Sequence, residues 1–123
     1  HSASEALSGL PLNTAYEAEI KRIRAQVNLA LRLGTEVDLT VVENKVNEDP
    51  HNLDARLGWG QALLQSEDSV DDGVEVLIEV IQRARESAQA EEARETLVQL
   101  FGSLNPADSR VSSYRRQLAR ALH

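Results

Sequence analysis

Residues 49–65 read Asp-Pro-His-Asn-Leu-Asp-Ala-Arg-Leu-Gly-Trp-Gly-Gln-Ala-Leu-Leu-Gln and carry the strongest structural signal in the chain. Pro50 ends any helix that precedes it, because the residue before a proline avoids the α region. The small and apolar residues that follow recur every three or four positions, which is the period of one helical face. They are Leu53, Leu57, Gly60, Leu63 and Leu64. The stretch therefore predicts a turn and then a helix over 53–66.

Segments on both sides of this helix show the same period, and none shows the alternation of a half-buried strand. The predicted helices outside 53–66 span 14–33, 36–48, 70–86, 89–103 and about 106–122. In the first of them, one face is lined by Tyr16, Ile20, Ile23, Val27 and Leu31. Short turns join the helices, so the predicted fold class is all-α, an antiparallel helix-hairpin array of about six helices.

Helix start signals support these boundaries. A Ser, Thr or Asn side chain can accept a hydrogen bond from a free N–H in the first turn, and an acid three residues later is favoured there. The predicted N-caps are Thr35, Ser69 and Asn105, followed by Asp38, Asp72 and Asp108. Pro106 would occupy the first helical position of the last helix. Gly34 is placed where the first helix should stop.

A period near 34 residues relates this array to a known repeat. Residues 49–52, Asp-Pro-His-Asn, are the usual opening of a tetratricopeptide (TPR) unit, and Trp59-Gly60 matches its large-then-small pair. Leu63 occupies the aromatic position, Gly73 the small position of the second helix, and Leu77 a packing position. The domain thus resembles a TPR domain, with Trp59, Gly60, Leu63, Gly73 and Leu77 as the predicted repeat-packing residues.

The C-terminal segment resembles a more specific family. Residues 112–122, Ser-Ser-Tyr-Arg-Arg-Gln-Leu-Ala-Arg-Ala-Leu, are similar to the closing helix of the bacterial thioredoxin-fused TPR proteins called chaperedoxins. The resemblance implies a stress-related holdase or co-chaperone that binds unfolded client proteins and docks to a cytosolic chaperone, notably the chaperonin. It also implies a cytoplasmic location. The thioredoxin domain would precede this sequence, so no redox activity is assigned to it.

Composition excludes several classes of function. The chain has no cysteine, which removes thiolate zinc sites and a cysteine nucleophile. Its formal net charge of −7 disfavours nucleic-acid binding, because phosphate contacts need Lys and Arg. No apolar run approaches the roughly 18–20 residues of a membrane span. The three histidines are scattered, and no serine lies in a nucleophile elbow. We therefore expect no enzyme activity, cofactor, metal, nucleic acid or membrane partner.

Two surfaces are candidates for protein binding. The face of the 53–66 helix that would line the concave side of a TPR hairpin is the candidate peptide-binding surface: Asp54, Leu57, Gln61, Leu64 and Gln65. The last helix is the candidate docking element, with apolar contacts and steering arginines. Its residues are Tyr114, Arg115, Arg116, Leu118, Arg120 and Leu122. The arginines could instead only complement the helix dipole and aid solubility.

The domain organisation predicted is simple. Residues 1–12 are interpreted as a tag remnant and linker, and 13–123 as a TPR-like domain that is a fragment of a larger protein. Homo-oligomer formation is possible for such a domain. The alternative function is a generic TPR scaffold that mediates oligomerisation or complex assembly.

Overall fold

The computed structural model describes residues 11–34 and 37–123, and this part of the chain contains six α-helices and no strand. They are α1 (Pro11–Leu33), α2 (Leu39–Glu48), α3 (Leu53–Leu63), α4 (Val70–Arg83), α5 (Ala88–Ser103) and α6 (Ser109–Leu122). A 3-10 turn, Glu67–Ser69, leads into α4. The predicted all-α helical array is confirmed. Residues 1–10 lie outside the described residues, so the linker assignment and the boundary at residue 13 stay predictions.

Two N-caps differ from the sequence prediction. Asp38, not Thr35, caps α2 by accepting a 2.9 Å hydrogen bond from Thr40 N, and α2 begins at Leu39 rather than 36. Thr35 itself lies outside the described residues. Asp108, not Asn105, caps α6. Asn105 closes the preceding turn instead, where its Oδ1 accepts from Ala107 N at 2.9 Å.

The entry into α4 also departs from the predicted capping box. Ser69 occupies the N-cap position, but its side chain makes no cap hydrogen bond. Its Oγ donates to Leu63 O at 2.6 Å and so binds the last residue of α3. The hydroxyl therefore fixes the α3–α4 connection, and α3 ends at Leu63 instead of continuing to residue 66.

The core is centred on α4, which contacts α3, α5 and α6. Its buried residues recur on nearly every turn and are Val70, Gly73, Val74, Val76, Leu77, Ile78, Val80 and Ile81. Leu97 on α5 and Ala121 on α6 are fully buried against the same cluster. Burial on this scale is the main stabilising term of the domain.

Two glycines allow α3 and α4 to approach closely. A Cβ built on Gly60 would lie 2.7 Å from Leu77 Cδ2. A Cβ on Gly73 would lie 2.7 Å from Leu64 Cδ2 and 2.9 Å from the backbone oxygen of Gly60. Any larger residue would push the helices apart, because packed interiors have no space for an additional carbon at such distances.

Helix α1 packs in an unexpected way. It lies against α5 rather than forming a hairpin with α2. The apolar stripe Tyr16, Ile20, Ile23, Val27 and Leu31 lines one face of α1 but faces away from the core, and Leu31 is 75 % exposed. The packed face carries Leu29, Ala25 and Arg32 instead. Polar contacts with α5, which local periodicity does not reveal, therefore decide how α1 is oriented.

Candidate interaction surfaces

The predicted peptide-binding face of α3 is turned towards α5. Gln61 Nε2 donates to Glu92 Oε2 at 3.1 Å and to Thr96 Oγ1 at 3.2 Å. Asp54 Oδ1 accepts from Gln89 at 2.8 Å. Leu57 is partly buried against the core, and a peptide on this side would have to replace these helix–helix contacts.

The other two residues of that face, Leu64 and Gln65, border an open groove. Leu64 is largely buried, and Gln65 Nε2 donates to Leu33 O at 3.4 Å while its Oε1 accepts from Val37 N at 3.2 Å. The groove has a volume of about 1180 Å³ and lies between the C-terminal ends of α1 and α3 and the start of α2. Its apolar lining comprises Leu29, Ala30, Leu33, Val37, Leu39, Ala62 and Leu64. Concave surfaces with mixed apolar and polar walls are common sites of ligand binding.

The inner face of α6 belongs to the core. Tyr114 and Leu118 are 3 % and 8 % exposed, and the Tyr114 ring stacks on Phe101 with centroids 6.2 Å apart. The Tyr114 hydroxyl donates to Asp71 Oδ1 on α4. The apolar docking contact expected of Tyr114 and Leu118 is therefore absent from the surface, because both side chains anchor α6 to the domain.

The outer face of α6 is basic. Arg115, Arg116 and Arg120 are exposed, and none of them has an ion-pair partner in the described part of the chain. Leu122 is 48 % exposed at the end of the same helix. The helix sequence contains four arginines and no acid. Of the predicted docking residues, those that a partner could reach are Arg115, Arg116, Arg120 and Leu122.

The fourth arginine, Arg110, is used inside the domain. It binds Asp108 Oδ2 at 2.7 Å and reaches Glu67 Oε1 at 2.9 Å. The hydrogen bonds from the Arg110 side chain and backbone N–H lower the pKa of Asp108 to about 2. This cluster fixes the start of α6 beside the turn that precedes α4.

The buried phenol of Tyr114 is also perturbed. Burial is the main reason that the pKa of Tyr114 rises to about 12, and the hydrogen bond to Asp71 adds to it. Both effects favour the neutral hydroxyl over the phenolate.

The stretch Glu67–Glu79 contains six acidic residues and no basic residue, and three of the acids bind side chains elsewhere in the domain. Glu67, Asp71 and Glu79 bind Arg110, Tyr114 and Arg56 respectively. The remaining acids are Asp68, Asp72 and Glu75, all exposed. Three of the six acids therefore stabilise helix packing inside the domain and are not available to bind a partner.

Trp59, one of the predicted packing residues, lies partly buried on the opposite side of α3. It lines a smaller cleft of about 490 Å³ with Val46 and Val76. Leu63 and Leu77 are buried in the core.

The strongest feature that sequence reasoning missed is Arg32. It donates to Glu92 Oε1 at 2.5 Å, to Gln99 Oε1 at 2.9 Å and to Glu95 Oε2 at 3.2 Å. The only sequence signal was a basic residue in the last turn of α1, which is common at helix C-termini.

Comparison with known families adds to these observations. Residues 32–123 match a family model described as a tetratricopeptide repeat. The chain belongs to the tetratricopeptide repeat family. No curated protein and no solved structure matches it. TPR domains act as protein–protein interaction modules, and stacked repeats offer extended binding surfaces. In this TPR domain the family match begins at Arg32, so most of α1 precedes the matched residues.

No helix in the described part of this TPR domain combines the length and the apolar character that crossing a membrane requires.

Proposed function

We propose that this TPR domain is a non-catalytic interaction module of a thioredoxin-like co-chaperone, which holds unfolded clients and docks to a chaperonin. The observation that carries the proposal is the outer face of α6, where Arg115, Arg116 and Arg120 are exposed without internal ion pairs. The core residues Tyr114 and Leu118 hold that face in place. The similarity of residues 112–122 to the closing helix of chaperedoxins is the reason for proposing a chaperonin as the partner.

The docking step is electrostatic in character. A net charge of −7 for the whole chain makes the basic face of α6 a local exception. Complementary charges steer association and raise its rate more than they raise affinity. Leu122, half-exposed at the end of α6, supplies an apolar contact beside the arginines.

The docking test titrates chaperonin against wild type and against Arg116→Glu/Arg120→Glu. We expect the charge-reversed variant to associate about tenfold more slowly at low salt and to show a flatter salt dependence. The matched control is Lys45→Glu/Arg85→Glu, which has the same net charge and alters two exposed cations elsewhere. Equal association rates for all three proteins would contradict the role of α6, and no binding by wild type would contradict the choice of partner.

The client site that we propose is the groove beside Leu64 and Gln65. Val37 lines this groove and is 42 % exposed, whereas Val41 on α2 is 50 % exposed and lies outside it. Val37→Asp should weaken the suppression of aggregation of a denatured model enzyme, because a charge there disfavours apolar segments. Val41→Asp serves as the control and should behave as wild type. A light-scattering assay that ranks both variants alike would count against the groove.

A further inference from the structure

Helix α1 has two opposite faces: one packs against α5, and the other is apolar and largely exposed. At 3.6 residues per turn, the stripe Tyr16, Ile20, Ile23 and Val27 lies roughly half a turn away from the packed face that contains Leu29. Tyr16, Ile23 and Val27 are each about half exposed or more. A continuous apolar stripe of this kind on a soluble domain indicates a binding surface.

An N-terminal stretch of α1 is exposed beyond the contact of this helix with the end of α5. Ala25 meets Gly102, and Gln26 Nε2 donates to Ser103 O at the last residue of α5. The residues before this contact, 15–19, are all exposed. An exposed helical segment of that length has little stability of its own in water, so contact with another surface would stabilise it.

The spacing of the stripe suits another helix. Tyr16, Ile20, Ile23 and Val27 alternate steps of four and three, which is the seam of a coiled coil. One flank of this seam carries Glu17 and Arg24, seven residues apart and opposite in charge. Both are exposed, and neither has an ion-pair partner among the described residues.

We propose that the apolar stripe of α1 binds a second copy of itself, with the two α1 helices antiparallel about a two-fold axis between Ile20 and Ile23. In this arrangement Tyr16 of each copy packs against Val27 of the other, and Glu17 of each copy faces Arg24 of the other. A two-fold interface must be self-complementary, so every contact in it occurs twice. One acidic and one basic residue on the same flank meet this requirement, because the Glu17–Arg24 pair forms at two symmetry-related places.

The charges favour antiparallel over parallel pairing. In a parallel pair Arg24 would face Glu19 of the other chain. Glu19 is already bound to Arg22 of its own helix, with hydrogen bonds of 2.6 Å and 2.8 Å. Antiparallel pairing also places the exposed residues 15–19 of each α1 along the part of the other α1 that packs on α5. Since α5 lies on the opposite face of α1, the two domains lie on opposite sides of the helix pair. The surface is separate from the one proposed on α6.

The first test is the oligomeric state. Sedimentation equilibrium of the chain between about 10 and about 500 µM should show a monomer–dimer equilibrium, since a single helix pair is a small interface with weak affinity. Ile23→Asp should raise the dissociation constant by about tenfold or more. The control is Val98→Asp, which alters a residue of α5 that is 48 % exposed and lies outside the stripe. A wild type that stays monomeric throughout, or an Ile23→Asp variant that still dimerises like wild type, overturns the proposal.

The second test fixes the orientation. Glu17→Arg alone and Arg24→Glu alone should each weaken self-association by several-fold, because each places like charges opposite each other. Mixing the two single variants should give a heterodimer in preference to either homodimer, and the double variant Glu17→Arg/Arg24→Glu should recover wild-type association. Parallel pairing predicts no effect of Glu17→Arg and no recovery in the double variant, and that result would overturn the antiparallel arrangement. Circular dichroism of every variant confirms that the helix content is unchanged.

Discussion

Arg32 on α1 and Glu92 on α5 are joined by a 2.5 Å hydrogen bond, although 60 residues separate them in sequence. The other carboxylate oxygen of Glu92 accepts from Gln61, so this one acid connects α1, α5 and α3. Arg32 is also the first residue of the family match. The contact therefore attaches most of α1, which precedes the match, to the matched repeat region.

Replacing this arginine should loosen α1. Arg32→Gln removes charge-assisted hydrogen bonds to Glu92 and Glu95 and should cost about 1 kcal/mol, because the group is partly exposed. We expect faster amide hydrogen exchange over α1 and little change over α4. Lys21→Gln, an exposed cation on the same helix, is the control and should leave exchange unchanged. Uniform acceleration in every helix would show that Arg32 supports the whole fold rather than α1.

Gly73 and Gly58 should respond very differently to replacement by alanine. Gly73→Ala meets the backbone oxygen of Gly60 at 2.9 Å, and we expect a loss of about 1–3 kcal/mol in the free energy of unfolding. Gly58→Ala has no neighbour within 4 Å and should gain about 0.5–1 kcal/mol from its better helix propensity. Urea denaturation measures both. Similar values for the two variants would mean that the helices can separate without cost.

Tyr114 should make the domain lose stability at alkaline pH. Because the folded state raises the pKa of Tyr114 to about 12 from 10.0, this contribution to stability is complete below pH 10 and is lost as the pH rises to 12. Tyr114→Phe should be about 1 kcal/mol less stable at neutral pH and should lack that alkaline loss. In a Tyr16→Phe background only Tyr114 reports on phenolate absorbance. A midpoint near the ordinary tyrosine pKa of 10.0 would show that the hydroxyl is neither buried nor held by Asp71.

Asp108 should make the domain lose stability at acidic pH. Its pKa is lowered to about 2 from 3.8, so the stability it provides is present above pH 4 and is lost as the pH falls to 2. Thermal unfolding of Asp108→Asn, which keeps a capping side chain without charge, should show a smaller decrease of Tm over that interval than wild type. Asn105→Ala should change Tm less than Asp108→Ala at neutral pH, because Asp108 makes the cap bond. A larger change in Tm for Asn105→Ala than for Asp108→Ala would show that Asn105 is the N-cap of α6.

The fold could be predicted because its signals are local. The helical period of residues 53–64 and 70–81 needs no knowledge of tertiary contacts, and the six predicted helices are present with ends shifted by a few residues. Cap identity was harder. Asn105 and Asp108 are both good N-cap residues, and the choice depends on where the turn at Pro106 leaves the chain.

The interaction surfaces depended on contacts between distant residues, which the sequence does not reveal. Tyr114 and Leu118 looked available for docking, yet the neighbouring helices bury them. The stripe from Tyr16 to Leu31 has the period of a buried helical face, yet it is largely exposed, and the opposite side of α1, which includes Arg32, contacts α5. Hydrophobic periodicity identifies a face that will be covered but does not identify what covers it.

The attachment of α1 to α5 also sets an order of events during synthesis. The hydrogen bonds between them join residues 60 to 77 positions apart, from Arg32–Glu92 to Gln26–Ser103. During synthesis α1 leaves the ribosome before α5, so the contacts between the two helices cannot form until α5 has left the exit tunnel. Throughout that interval the face of α1 that later packs on α5 is not yet covered by it. Helix α1 precedes the other five described helices in the chain, yet its packing contacts are completed only after α5 is made.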